Sequence, residues 1–204
     1  MRRMSTLVYS MFLFALTGAI SPGPVNLIAA SLGVRSGFVS ALPHVAGASL
    51  SYAAIVWLMG SGFHRVLLAY PQASDAMRYA GAAYLLYLCV RIATAPPVDP
   101  SLATIEGVGW SAGLLQGGLA QTLNPKSWLW ALSGVSLFVA DRGPALLLLF
   151  CSISGLVCFA SVAAWAGLGR MAGRWLAQPR AQVVFNRSMA LLLALTVVAM
   201  LATA

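Results

Sequence analysis

Ser21-Pro22-Gly23-Pro24 interrupts an apolar stretch running from Leu7 to Leu32, and Asn124-Pro125-Lys126 interrupts another running from Trp110 to Val139. Proline inside a helix removes a backbone donor and strands the carbonyl one turn upstream. In hydrocarbon a stranded polar group is tolerated only where protein or a water-lined cavity satisfies it. This chain breaks its apolar segments twice, and the second break carries a lysine. Paired helix breaks near the bilayer midplane, with free helix ends pointing at a ligand, are how many secondary transporters build a binding site.

The composition places these stretches in a membrane. Of 204 residues, 60% are hydrophobic and 8% are charged, and the mean hydropathy is +0.87. Soluble domains are about a quarter charged. The net charge of +8 would suggest nucleic acid in a soluble chain. Here the basic residues sit mostly at segment ends, where they set orientation and touch anionic headgroups, so the expected surroundings are the lipid bilayer and not nucleic acid. Cys89, Cys151 and Cys158 all fall in apolar segments. With no CxxC and no paired histidines they read as small core side chains rather than metal ligands or disulfides. The start, Arg2-Arg3 before an apolar run, has a faint signal-peptide character, but the run continues past Ala19 to Ala30 and reads as the first span.

A span takes roughly 20 apolar residues, and six candidates follow: Leu7 to Leu32, Phe38 to Gly62, Ala76 to Ile92, Trp110 to Val139, Ala145 to Leu168 and Ser188 to Ala202. The first and fourth exceed what one straight helix needs, as broken helices would. The expected fold is an all-α, six-helix membrane bundle forming a single transporter domain over residues 1–204. The linker Ala95-Pro96-Pro97-Val98-Asp99-Pro100 divides it into halves, about 1–95 and 101–204. Three spans per half imply opposite orientations, hence an inverted repeat with broken first and fourth helices. The pairs Gly47 with Trp57 and Gly155 with Trp165 recur at equal spacing in the second span of each half. The arginine cluster from Arg170 to Arg187 favours both termini outside.

Serine and asparagine are good N-caps, and proline suits the first helical position. Each motif therefore reads as the end of one half-helix and the start of another, with free N–H groups at a positive dipole end suited to a carboxylate. Carbonyls near Gly18, Ile20 and Gln121 would remain for an ammonium group or a water. The candidate substrate-binding residues are Ser21, Pro22, Gly23, Pro24, Asn26, Gln121, Asn124, Pro125 and Lys126. The competing reading is a pair of packing kinks. Lys126 is the sharpest residue, since an intramembrane charge is functional by default. It could bind a carboxylate or exchange a proton during transport, unless it snorkels to an interface. His44 is the second proton-coupling candidate, with a plain backbone hydrogen bond as its alternative; His64 reads as interfacial. Asn26 either faces the break or ties helices together. Small residues at Gly33/Gly37, Gly47/Ser51 and Gly113/Gly117 allow close helix packing. Whether that packing lies within one chain or between copies stays open, so a homo-oligomer remains among the expectations. Trp110, Trp128, Trp130, Tyr84 and Tyr87 read either as interfacial belt residues or as cavity lining, with the belt favoured for Trp110.

Ser21-Pro22-Gly23-Pro24, Gly81-Ala82-Ala83-Tyr84-Leu85-Leu86-Tyr87-Leu88 with Arg91, and Leu123-Asn124-Pro125-Lys126 together resemble the LysE/RhtB amino-acid exporters. The likeness is specific from Leu7 to Val139 and rests only on length and hydrophobicity beyond. It implies a multi-pass protein of the bacterial inner membrane exporting amino acids by proton-driven secondary transport, with no cofactor, no metal and no enzymatic activity. The lysine-exporting branch carries an early intramembrane aspartate. Here the four acids, Asp75, Asp99, Glu106 and Asp141, lie in loops or at segment ends. A pocket with Lys126 and no carboxylate suits neutral amino acids such as threonine, homoserine or a branched aliphatic. The rivals are a membrane thiol carrier, efflux of a drug-like molecule, and a non-transporting assembly protein.

Overall fold

The structure, a computed structural model, describes residues 2–63, 65, 69–97, 109–139, 142–175 and 178–202. His64, Asp99, Glu106, Asp141 and the end of the linker (98–100) lie outside the described residues. Among the described residues seven helices follow one another: α1 Arg2–Ile20, α2 Pro24–Gly60, α3 Pro71–Ala93, α4 Trp110–Thr122, α5 Pro125–Phe138, α6 Pro144–Trp175 and α7 Pro179–Ala202. No strand occurs among the described residues. Every helix after α1 except α4 begins on a proline, because that ring fixes the first helical φ where the missing N–H does no harm.

The stretch expected as a first span is two pieces. α1 ends at Ile20, and the chain restarts at Pro24 after three non-helical residues. The restarted helix runs only to Ser36 before bending at Gly37, whose φ of 83° lies in the left-handed region. Glycine alone takes that conformation without strain, so Gly37 is a bend and not the packing position expected of it. Residues 38–60 then form the second arm of α2, matching the expected second span. The fourth stretch divides in the same way, into α4 of 13 residues and α5 of 14 residues. Each is about 20 Å long, too short alone for a hydrocarbon core of about 30 Å. Among the described residues three helices are long and apolar enough to cross a membrane, within Pro24–Gly60, Pro144–Gly173 and Pro179–Val198, while Met4–Ile20 and Tyr79–Ala93 are shorter apolar helices.

α2 is the hub. Its first arm lies against α6 and its second arm against α4, and both crossings are reciprocal backbone contacts made by glycine. A Cβ on Gly33 would stand 2.0 Å from the Ala166 carbonyl oxygen, and one on Gly169 would stand 2.0 Å from that of Ala30. In the second crossing a Cβ added to Gly47 would stand 2.1 Å from the Leu114 carbonyl oxygen and one added to Gly117 2.1 Å from that of His44, while Gly113 abuts Pro43. Small residues let helices approach to this distance and gain dispersion where no hydrophobic drive operates. The stripes at Gly33, Gly47, Gly113 and Gly117 therefore pack helices within the chain. Gly81 of α3 sits equally close to the Leu123 carbonyl, at the second break. The outer face is aliphatic, with Leu50, Leu115, Leu129, Leu156 and Leu191 all more than 60% exposed, as a lipid-facing surface requires.

The two glycine–tryptophan pairs do not share an environment. Trp57 is half exposed, whereas Trp165 donates to the Ile20 carbonyl. Trp110 is largely exposed at the start of α4, fitting an interfacial place.

The close crossings make a direct test. Gly117→Val drives a branched side chain into the His44 carbonyl and should destabilise the fold by at least the 1–3 kcal/mol typical of overpacking. Gly109→Ala, where an added Cβ meets nothing within 4 Å, should leave the melting temperature unchanged. Thermal unfolding of both variants in detergent reads the difference.

Candidate functional site

At the first break the prolines decide where the helix restarts. A residue before proline is held out of the α region, so Gly23 cannot continue a helix begun at Pro22, and α2 starts at Pro24. Gly23 is its N-cap, extended at φ −162° and ψ 173°, and no side chain caps the helix. The expectation that Ser21 is the cap is therefore corrected: its hydroxyl turns back to donate to the Gly18 carbonyl at 3.1 Å. The leading N–H groups of α2 lack intrahelical acceptors, as in any helix.

The stranded carbonyls of this break are occupied. Asn26 Nδ2 donates to the carbonyls of Ala19 at 2.7 Å and Ser21 at 3.0 Å. Ser161 Oγ also reaches Ala19, at 2.9 Å, and Trp165 Nε1 reaches Ile20 at 3.3 Å. Gly18 and Ile20, expected to receive an ammonium group or water, already accept bonds from Ser21 and Trp165. The physical reason is the one that made the break notable: in a membrane, freed carbonyls must find protein donors.

The second break follows expectation more closely. Asn124 is the N-cap of α5, its Oδ1 accepting from the Lys126 N–H at 3.2 Å, with Pro125 at the first helical position. The Gln121 carbonyl accepts from the Asn124 N–H, and the Thr122 carbonyl accepts from Trp128 Nε1 at 2.7 Å.

The two breaks face each other. Lys126 Nζ donates to Ser21 Oγ across the space between them. The lysine is therefore directed into the first break and does not snorkel away. It has no carboxylate partner among the described residues. A Cβ on Gly23 would lie 3.9 Å from the ammonium nitrogen, so the uncapped start of α2 and the lysine share one space. That space is a cavity of about 50 Å³ whose lining includes Gly18, Ser21, Gly23, Asn26, Gln121, Asn124 and Lys126. A water needs about 10–15 Å³ measured in this way, so there is room for several waters or the head of a small molecule.

Of the expected site residues, Ser21, Gly23, Asn26, Gln121, Asn124 and Lys126 line this cavity. Pro22, Pro24 and Pro125 shape it through the backbone without lining it. His44 is fully buried behind it, its Nε2 3.2 Å from the Val25 carbonyl. This is the plain backbone bond that competed with a proton-carrying role. Its Nδ1 and the Oε1 of neighbouring Gln116 lack a hydrogen bond of normal geometry. Gln121 is 7% exposed and lines the cavity, and its side chain has no hydrogen-bond partner among the described residues.

Sequence reasoning missed Tyr52, Ser127, Cys158 and Val162, which also line the cavity, as does Trp130, for which lining a cavity was one of two expected places. Trp130 stacks on Phe14 with ring centroids 4.8 Å apart and covers Gly18. Cys158 stands beside no proline motif in the sequence yet lies at the first break in space. Cys89 and Cys151 do not line the cavity, and all three cysteines are free and buried. One signal was available: Cys158, Ser161, Val162 and Trp165 recur at helical spacing on one face of α6. That face meets the first break.

The donors that hold the first break can be tested by removal. Asn26→Leu leaves the Ser21 carbonyl without its donor and should destabilise the protein by about 1–3 kcal/mol. Ser161→Ala should do less, because Ala19 keeps its bond to Asn26. Paired thermal melts in detergent separate the two.

A family of LysE type translocators matches residues 16–203. Among curated relatives, cysteine/O-acetylserine efflux proteins are similar to this chain. The one from Escherichia coli O1:K1 / APEC is 29% identical over 163 residues, covering 76% of this chain and 81% of its own. The one from Escherichia coli strain K12 is 28% identical over the same shares. No solved structure matches significantly. With a family match over most of its length and apolar helices throughout, the chain belongs to the LysE type translocators, a family of amino-acid efflux transporters, and is a multi-pass membrane transporter rather than an enzyme.

Proposed function

We propose that the protein exports neutral amino acids or closely related small zwitterions from the cytoplasm, binding them between the two helix breaks. The observation that carries this reading is the bond from Lys126 Nζ to Ser21 Oγ beside the uncapped start of α2. A substrate carboxylate entering the cavity displaces Ser21 as acceptor for the ammonium and takes the free N–H groups at the start of α2, where the helix dipole favours an anion. The substrate ammonium is left to Gln121 Oε1, a carbonyl-type acceptor in the lining whose side chain has no partner among the described residues. With no acidic side chain in that lining, a second positive charge on the substrate would go uncompensated. The substrate is therefore neutral overall, and the names of the relatives, cysteine and O-acetylserine efflux proteins, agree in class.

The architecture behind this is six spans in an inverted repeat, with halves of about 1–95 and 101–204. Two features support it beyond the paired breaks. α1 lies against α6 as α4 lies against the second arm of α2, so each half's first piece packs on the other half's long helix. Positive-φ glycines, Gly37 and Gly143, also precede that long helix in each half. Export runs as proton antiport, with Lys126 as the exchanging group because it is the one basic side chain in the cavity lining; His44, behind the wall, is the second candidate. The site is the bacterial inner membrane, with the arginine-rich face cytoplasmic and both termini outside.

Counterflow in proteoliposomes tests the reading. Vesicles preloaded with a neutral amino acid should accelerate uptake of labelled threonine or cysteine by wild type. Lys126→Leu should lose this exchange while eluting as a folded protein, since the substitution removes an uncompensated charge. Exchange that survives in Lys126→Leu would place the substrate elsewhere. Absence of exchange for every amino acid in wild type would leave drug-like efflux or an assembly role.

A further inference from the structure

The cavity lining divides by chemistry and by origin. The polar groups that hold the carboxylate and ammonium, features common to every amino acid, come from the two breaks. Tyr52, Cys158 and Val162 come from outside them, from the second arm of α2 and from α6. They are 6%, 4% and 2% exposed. Gly155 of α6, one turn before Cys158, meets the Ala53 side chain, with an added Cβ only 3.3 Å away. This contact lies next to Tyr52 and fixes the spacing of the two helices at this wall. Ser49 Oγ, beside Cys158, is tied to the Val45 carbonyl at 2.7 Å.

Tyr52 is the informative member. A buried tyrosine hydroxyl ordinarily finds a partner, yet this one has no hydrogen bond among the described residues. It lines the cavity that the substrate head enters. Resting on the function proposed above, we infer that Tyr52, Cys158 and Val162 form the side-chain subsite. It selects short, uncharged side chains that offer the Tyr52 hydroxyl an oxygen or sulfur. The cavity is small, about 50 Å³, so with the substrate head seated the subsite favours a short side chain over an aromatic or long branched one. Val162 and Cys158, one turn apart on α6, set the depth, and Tyr52 supplies the polar contact. A site that hydrogen-bonds a substrate group discriminates strongly against the analogue lacking it, whereas an apolar wall discriminates only by size.

The test is the same counterflow assay with competing unlabelled serine, cysteine, alanine, leucine and phenylalanine. Wild type should prefer serine and cysteine over alanine and reject phenylalanine. Tyr52→Phe should cut the preference for serine over alanine by about threefold to tenfold, the worth of one neutral hydrogen bond, while alanine exchange persists. Val162→Ala should admit leucine, and it keeps the inference testable if Tyr52→Phe fails to fold. Unchanged selectivity ratios in both variants, with exchange intact and still abolished by Lys126→Leu, would overturn the subsite and leave the transport reading standing. Absence of exchange in wild type would overturn both.

Discussion

A proline break in a membrane helix is only as stable as the donors that reach its carbonyls. The rest of this structure is arranged around that constraint. Asn26, Ser161 and Trp165 come from two helices to satisfy Ala19, Ile20 and Ser21. To bring them there, α6 must run close beside the first break, and it can do so because Gly33 and Gly169 let its backbone touch that of α2. The glycine crossings and the hydrogen bonds are thus one device. The glycines set the distance at which the donors work, and the donors make the break affordable at that distance.

The same accounting explains the chemistry left over. The carbonyls of the first break are taken by protein, whereas the leading N–H groups of α2 have no cap. Across from them stands an ammonium group with a hydroxyl for company and no carboxylate among the described residues. In the function proposed above, that unused capacity is what an anion would take.

How much of this was legible in the sequence depends on range. The breaks themselves were, because proline acts on its own backbone and needs no tertiary information. The cap at Asn124 was legible for the same reason. Ser21 was misassigned because two prolines compete, and the second, Pro24, forbids the helix that the first would start. The facing of the breaks was not legible, since it depends on a contact between residues 105 apart in sequence. The destination of the Gly18 and Ile20 carbonyls was likewise set by partners on other helices, and one of those, Trp165, looked like half of a repeat signature. Cys158 was read correctly as a buried small side chain, but the first break that it lies beside was invisible from its own neighbourhood.

The asymmetry between the breaks bears on how such a site could release what it binds. The second break is capped and contributes a long side chain; the first is uncapped and contributes backbone donors. Neither alone offers both charge and N–H groups, and the two belong to different stretches of the chain, joined here through Lys126 and Ser21. The proposed anion site, assembled from both, would exist only while the breaks stay apposed. Any relative movement that parts them separates the ammonium from the helix end and dismantles the site without unfolding either piece. A single helix carrying all the ligands would keep its affinity whichever way it tilted. Division of the site between two breaks makes affinity depend on conformation, and a ligand can shift a conformational equilibrium only through such a difference in affinity.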